Sequence, residues 1–116
     1  MNVVAGVLVG LVAALHLYFL VLEMFLWTTP TGRRVFGLDA DFAERSKALA
    51  ANQGLYNGFL VAGLVWGLVS GRTDVRVFFL VCVVVAGLYG AATVNKRIVV
   101  VQAVPAAVAL VAVALS

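Results

Sequence analysis

The stretch VVAGVLVGLVAALHLYFLVLEMFLW, residues 3–27, decides the fold because this long apolar run is interrupted only by His16 and Glu23. A helix needs about 20 predominantly apolar residues to cross the hydrocarbon core of a bilayer. The run follows no basic segment, is longer than the apolar part of a signal peptide and lacks a small-residue cleavage site. It therefore predicts a membrane helix that is retained in the mature protein.

The composition of the whole chain agrees with this prediction. Of 116 residues, 65% are hydrophobic and 11% are charged, whereas soluble domains have about 45–50% apolar and about 25% charged residues. Five acidic and eight basic side chains are too few to cover the surface of a soluble domain. Because Cys82 is the only cysteine, a disulfide framework is excluded. We expect one small membrane domain, residues 1–116, and no large soluble catalytic domain.

Three further apolar runs follow the first one. The four predicted helices cover residues 3–27, 43–69, 75–94 and 98–115. The chain is therefore predicted to be an all-α integral membrane four-helix bundle with short connections. The glycine pairs Gly6–Gly10 and Gly63–Gly67 have the spacing that permits close approach of membrane helices. Pro105 is expected to kink the last helix.

The basic residues predict the orientation in the membrane. Six of the eight lie on the side that holds connections 28–42 and 95–97, and two lie on the opposite side. Positively charged loops face the cytoplasm, so these two connections are predicted to be cytoplasmic and both termini to lie outside. The continuous apolar runs favour a bacterial inner membrane over an outer-membrane barrel. The expected partner of the basic loops is the lipid bilayer, not nucleic acid.

Polar side chains within the predicted helices form the candidate site. His16 and Glu23 are seven residues apart, so they lie on one helix face about two turns apart. One face of the second helix carries several polar groups, and we expect its Arg45 to pair with Glu23. The predicted ligand-binding residues are His16, Glu23, Arg45, Asn52, Gln53, Tyr56, Asn57 at the margin of that face, and Tyr89 and Thr93 of the third helix.

A structural interpretation of these residues stays open. Polar groups between membrane helices often act as packing contacts worth about 0.6 kcal/mol, and a buried histidine often does the same. The sequence has no phosphate-binding loop, no nucleophile elbow and no paired cysteines or histidines at metal-ligand spacing. We therefore expect no metal site and no cofactor.

Two segments carry a family resemblance. The stretch EMFLWTTPTGRRVFGL, residues 23–38, and the stretch AERSKALAANQGLYNGFLVAGLVWGL, residues 43–68, resemble the bacterial and fungal family catalogued as domain of unknown function 1304. The resemblance extends over essentially the whole chain. It implies a small protein with four membrane spans, and it implies no particular activity.

The second helix has a further, fainter similarity to the membrane-associated eicosanoid and glutathione metabolism proteins. Glu44, Arg45 and Asn52 match the opening Glu-Arg pair of that superfamily and the asparagine eight residues after its glutamate. This similarity implies a trimer that binds glutathione through Arg45 and Asn52. The chain departs from the pattern, however, because Ala50 stands in place of a histidine and Leu55 in place of an acidic residue.

Three classes of function follow from these features. The first is binding or transport of a small amphiphilic or proton-coupled ligand in a polar intramembrane pocket, where Glu23 would supply charge and His16 a proton relay. The second is a membrane enzyme similar to the glutathione-using superfamily. The third is a structural or accessory membrane protein. Because four short helices are few for a monomeric transporter, we expect a homo-oligomer under either of the first two.

Overall fold

Five α-helices and one π-helical turn account for nearly all of residues 2–116, the part of the chain that the computed structural model describes. The helices are α1 (Val3–Met24), α2 (Pro30–Phe36), α3 (Ala40–Ser70), α4 (Thr73–Thr93) and α5 (Val104–Ala114), and the π-helical turn covers Val99–Ala103. No strand occurs within these described residues. The predicted all-α class is therefore confirmed.

The predicted connection 28–42 contains a helix that the sequence pattern did not indicate. Thr29 caps α2 by accepting a hydrogen bond from the Gly32 amide, and Pro30 opens the first turn. Proline suits this position because its missing N–H has no helical partner there. Gly37 ends α2 with φ of 67°, a left-handed conformation that glycine adopts without steric cost. The same Pro and Gly residues are typical of a turn, which is why the helix was missed.

A π-helical turn lies in the last helical segment directly before α5, whose second residue is Pro105, the residue expected to kink this helix. Proline cannot donate to the carbonyl four residues earlier, and its ring crowds that carbonyl. Val99–Ala103 widens to the π-helical pattern directly before α5, which begins at Val104. A π-helical turn is one of the ways in which a helix accommodates such an interruption.

The chain divides into two compact units. One unit comprises the chain up to Ala14 together with Leu60–Ser116, and the other comprises Leu15–Phe59. The first unit holds the apolar core, whose members recur at helical spacing along α1, α4 and α5 and include one residue of α3. They are Ala5, Val9, Val12, Ala13, Leu64, Leu80, Val83, Ala106, Ala109 and Val113.

Small residues bring the helices of this first unit together. A Cβ atom added at Gly63 would lie 2.3 Å from the Phe79 ring, and one at Gly67 would lie 2.6 Å from Cγ of Arg76. The close approach expected at the Gly63–Gly67 pair is thus confirmed. A Cβ atom at Gly10 would meet nothing within 4 Å, so at this residue the same spacing does not produce close packing.

Two helices are long and apolar enough to cross a membrane, judged by length and composition. These are Val3–Met24, with a hydropathy of 2.4, and Thr73–Thr93, with a hydropathy of 2.2. The segment Val99–Ala114 is apolar but shorter. Helix α3 has its charged residues in its first two turns, and its second half is predominantly apolar.

Candidate functional site

The unit Leu15–Phe59 contains a hydrogen bond between two polar side chains that are 34 residues apart in sequence. Nδ2 of Asn57, on α3, donates to Oε1 of Glu23, in the last turn of α1, over 2.5 Å. Asn57 is only 6% exposed. A buried amide requires a partner, and a carboxylate oxygen can only accept, so the NH₂ group faces Glu23.

Small residues on α3 allow this contact to form. Ala43, Ala50 and Asn57 are buried at seven-residue spacing, and Gly54 is buried on the same side of the helix. A Cβ atom at Gly54 would lie 2.5 Å from Cγ of Met24 and 3.3 Å from the Leu20 carbonyl oxygen. The α3 backbone therefore approaches α1 closely enough for the short Asn57 side chain to reach Glu23.

A groove of about 300 Å³ lies beside Glu23 in the same unit. Most of its walls are apolar, and its ionisable side chains are one carboxylate and one ammonium group. It is lined by Glu23, Met24, Phe25, Trp27, Thr28, Lys47, Ala48 and Ala51. Such a site combines apolar walls with a few polar groups, which is the usual composition of a small-molecule site.

Trp27 is held firmly at this groove. Its Nε1 donates to Oγ of Ser46 over 3.0 Å, and that hydroxyl in turn donates to the Phe42 carbonyl over 2.6 Å. The Trp27 ring also packs against the ring of Phe36, with 4.9 Å between centroids. The indole thus joins the end of α1 to both α2 and α3. In the sequence, the only indication of this contact is that Trp27 carries an N–H donor and Ser46, near the start of α3, carries an acceptor. This indication is too weak to predict the hydrogen bond.

The predicted ion pair between Arg45 and Glu23 is wrong. Nε of Arg45 pairs instead with Oδ2 of Asp41 over 2.9 Å, one turn earlier on α3, and both side chains are exposed. Arg45 is twelve residues from Asn57, which is a rotation of about 120° around the helix. Arg45 is therefore not on the face of Asn57, and it is not among the α3 residues that line the groove, which are Lys47, Ala48 and Ala51.

The other predicted residues of α3 lie on its exposed side. Asn52, Gln53 and Tyr56 are exposed, and the Tyr56 ring packs edge-on against Phe59 at 5.9 Å. The residue predicted to be at the margin, Asn57, is the one that meets Glu23. The signal that could have found it is the spacing of Ala43, Ala50 and Asn57, because small residues at this spacing mark a helix contact.

The remaining predicted residues are placed as follows. His16 is fully buried, with its ring edge-on to Phe19 at 5.5 Å, and it does not belong to the groove lining given above. Tyr89 and Thr93 lie on α4 in the other unit, where Oγ1 of Thr93 donates to the Tyr89 carbonyl over 2.7 Å. A proton relay through His16 and a contribution from Tyr89 and Thr93 both stay predictions. Within residues 2–116, no three His, Cys, Asp or Glu side chains cluster so that they could hold a metal ion.

Comparisons with known proteins give a family. A family model described as "Protein of unknown function (DUF1304)" matches residues 10–114. An uncharacterised protein of Lactococcus lactis subsp. lactis (strain IL1403), YpaA, is 33% identical over 115 residues, covering 96% of this chain and 97% of that protein. No solved structure matches the chain.

Proposed function

The chain belongs to the family of proteins of unknown function DUF1304, and for this member we propose a role as an integral membrane protein that binds a small amphiphilic molecule. The proposed location is a bacterial inner membrane, with four spans and both termini outside. The observation that carries the proposal is the Glu23–Asn57 hydrogen bond, which holds a carboxylate beside a largely apolar groove. Transport of such a molecule across the membrane would begin with the same binding step.

The apolar surface of the helices supports the membrane part of this proposal. Large apolar side chains are exposed on α1 and on α4, among them Leu11 at 60%, Val85 at 59% and Leu88 at 54%. Soluble proteins rarely expose large contiguous apolar patches. In a bilayer these side chains would contact acyl chains, and their exposure would carry no hydrophobic cost.

The chemistry of the groove supports an amphiphilic ligand. Met24, Phe25 and Trp27 offer an apolar wall, against which an acyl or alkyl chain would remove its surface from water. The Glu23 carboxylate would accept hydrogen bonds from a ligand head group that carries N–H donors. Lys47, the other ionisable residue of the groove, is already paired with Glu44 over 2.5 Å. Glu23 takes part in none of the ion pairs found among residues 2–116, so its carboxyl group has no cationic partner there. We therefore propose a ligand with a short alkyl chain and a primary amine.

Native mass spectrometry of the protein released from lipid nanodiscs tests this proposal. The probe is octylamine, and octanol serves as the comparison that lacks the amine. We expect the wild type to retain octylamine in preference to octanol, and Glu23→Gln to lose this preference. Asp41→Asn is the matched control, because it removes one exposed carboxylate of the same unit whose partner, Arg45, does not line the groove.

Two results would contradict the proposal. Equal retention of octylamine and octanol by the wild type would remove the role of the carboxylate. Loss of octylamine from Asp41→Asn as well as from Glu23→Gln would assign retention to overall charge. The same spectra give the number of chains in the particle, which tests the predicted homo-oligomer, including a trimer.

Glutathione binding by Arg45 and Asn52 is the alternative that the fainter resemblance implies, and it stays a prediction. Both residues are exposed, and the Arg45 guanidinium is paired with Asp41. Adding glutathione as a second probe in the same experiment, with Arg45→Ala as the variant, tests it directly.

A further inference from the structure

Helix α2 presents two arginines beside exposed apolar side chains. Arg34, Val35 and Phe36 are exposed, and Arg33 is half-buried. These four residues are called the α2 surface below. Phe25 and Phe42, on either side of α2 in sequence, are also exposed, at 69% and 46%. Aromatic and basic side chains together are typical of protein segments at the boundary between a bilayer and water.

The charges of the α2 surface are not neutralised within the described chain. The three ion pairs found among residues 2–116 are Arg45–Asp41, Lys47–Glu44 and Arg72–Asp74. The Asp39 carboxylate accepts a hydrogen bond from the Phe42 amide. Arg33 and Arg34 take part in none of these contacts, and Nε of Arg33 is buried without a hydrogen-bond partner in that part of the chain. Neither guanidinium group is thus neutralised by a carboxylate among the described residues, and Arg34 in particular is exposed to an external anion.

The backbone of the α2 surface is well fixed. Gly32 lies so close to the end of α1 that an added Cβ atom would be 1.9 Å from the Leu26 carbonyl oxygen. Oγ1 of Thr29 donates to the same carbonyl over 2.6 Å. The Phe36 ring rests on Trp27. Preorganisation of this kind lowers the entropic cost of binding.

We propose that the α2 surface binds the head groups of anionic phospholipids. A guanidinium group matches the geometry of a phosphate and donates two parallel hydrogen bonds to it. The apolar side chains Val35 and Phe36 would enter the boundary region of the bilayer beside the head groups. This inference rests on the membrane location in the proposed function, but it does not depend on the Glu23 groove.

Quenching of Trp27 fluorescence by brominated lipids tests the inference. Trp27 contacts Phe36 directly, and replacing Trp66 by Phe leaves Trp27 as the only tryptophan. The protein is placed in phosphatidylcholine nanodiscs with a minor fraction of phosphatidylglycerol, and either lipid is brominated in turn. We expect brominated phosphatidylglycerol to quench Trp27 more than its mole fraction predicts. The expected local enrichment is about fivefold per arginine, which corresponds to about 1 kcal/mol for each charge near the surface.

The matched variants separate this site from overall charge. Arg33→Gln with Arg34→Gln should abolish the preference, whereas Arg45→Gln with Lys47→Gln removes two paired cations of the same unit and should retain it. In the wild type the preference should also fall as salt is raised, because exposed charges are screened. This second measurement does not require any variant of α2 to fold.

Three outcomes would overturn the inference. The first is equal quenching by both lipids in the wild type, and the second is equal loss of preference in the two double variants. In both cases the membrane location would stand. The third is failure of the wild type to enter nanodiscs, which would overturn the membrane location as well.

Discussion

Each of the two units holds an ionisable side chain within its packing, Arg76 buried in one and Glu23 half-buried in the other, and the two find their partners in different ways. In the unit that holds the apolar core, Arg76 is 1% exposed. Its Nη1 donates to the Gly67 carbonyl over 2.7 Å, and its Nη2 donates to Oγ1 of Thr73 over 3.1 Å and to the Gly71 carbonyl over 3.3 Å. In the unit Leu15–Phe59, Glu23 takes one hydrogen bond, from Asn57, and lines an open groove.

The partners of Arg76 explain why it needs no carboxylate. Gly67 is one of the last four residues of α3, whose carbonyls have no partner within the helix. The end of a helix also carries partial negative charge. Arg76 therefore closes the α3–α4 turn by donating to the Gly67 carbonyl at the end of α3 and to the Gly71 carbonyl just beyond it, and the negative helix end offsets its charge. Its Nε is buried without a hydrogen-bond partner among the described residues. No ligand can reach it.

Glu23 is different because its partner is a neutral amide and its surroundings are open. A carboxylate can accept about four hydrogen bonds, and Asn57 supplies one. This comparison teaches that burial of a charge does not by itself indicate function. A charge that is closed off from solvent and donates mainly to the fold is structural, whereas a half-buried one that borders a cavity with acceptor capacity left is a candidate for binding.

The largest effect is expected for Arg76→Ala. This change removes three hydrogen bonds and leaves a cavity, so we expect the free energy of unfolding to fall by about 3 kcal/mol. Unfolding in detergent micelles by sodium dodecyl sulfate, followed by circular dichroism, measures it. Arg72→Gln is the control, because it breaks an exposed pair with Asp74 and should cost less than about 1 kcal/mol. Similar losses in both variants would remove the structural role of Arg76.

The next effect is expected for Asn57→Ala, which leaves the Glu23 carboxylate without its donor. We expect a loss of about 2 kcal/mol in the free energy of unfolding. A double-mutant cycle with Glu23→Gln isolates the contact, and we expect a coupling energy between about 0.5 and 3 kcal/mol. A coupling energy of zero would show that the two side chains do not stabilise each other.

A somewhat smaller effect is expected for Gly54→Ala. The added methyl group would lie 2.5 Å from Cγ of Met24, 3.2 Å from Cβ of Glu23 and 3.3 Å from the Leu20 carbonyl oxygen, so these atoms must shift and we expect a loss of about 1–2 kcal/mol. Gly10→Ala is the matched control, because its methyl group meets nothing within 4 Å and alanine is the better helix former. It should stabilise the protein by up to about 1 kcal/mol. If both glycines respond alike, close packing at Gly54 is not what holds α1 against α3.

The sequence predicts the helices better than it predicts their contacts, and α3 shows why. Its apolar second half marks a helix by composition, and the runs that became α1 and α4 do the same. Which polar face turns inward is decided by backbone approach, and Ala43, Ala50 and Gly54 control this although they carry no polar atom. The prediction chose the face of α3 on which polar side chains are most numerous, so it favoured the face of Asn52 over that of Asn57. Helix α2 was missed because its Pro and Gly residues favour a turn and a short helix equally.

The smallest effect is expected on the exposed face of α3 that carries Asn52, called the outer face below. It tests whether this face and the face of Asn57 differ in burial. Asn52→Ala removes an exposed amide, so for an isolated chain we expect a change below about 0.5 kcal/mol in the free energy of unfolding. Amides exposed to acyl chains would lack hydrogen-bond partners, and a second copy of the chain could supply them. A homo-oligomer therefore predicts a larger loss for Asn52→Ala that grows as the protein is concentrated, whereas Asn57→Ala should cost the same at every concentration. If Asn52 behaves as Asn57 does at high dilution, then the outer face is buried within the chain itself, and the division of α3 into an inner and an outer polar face is wrong.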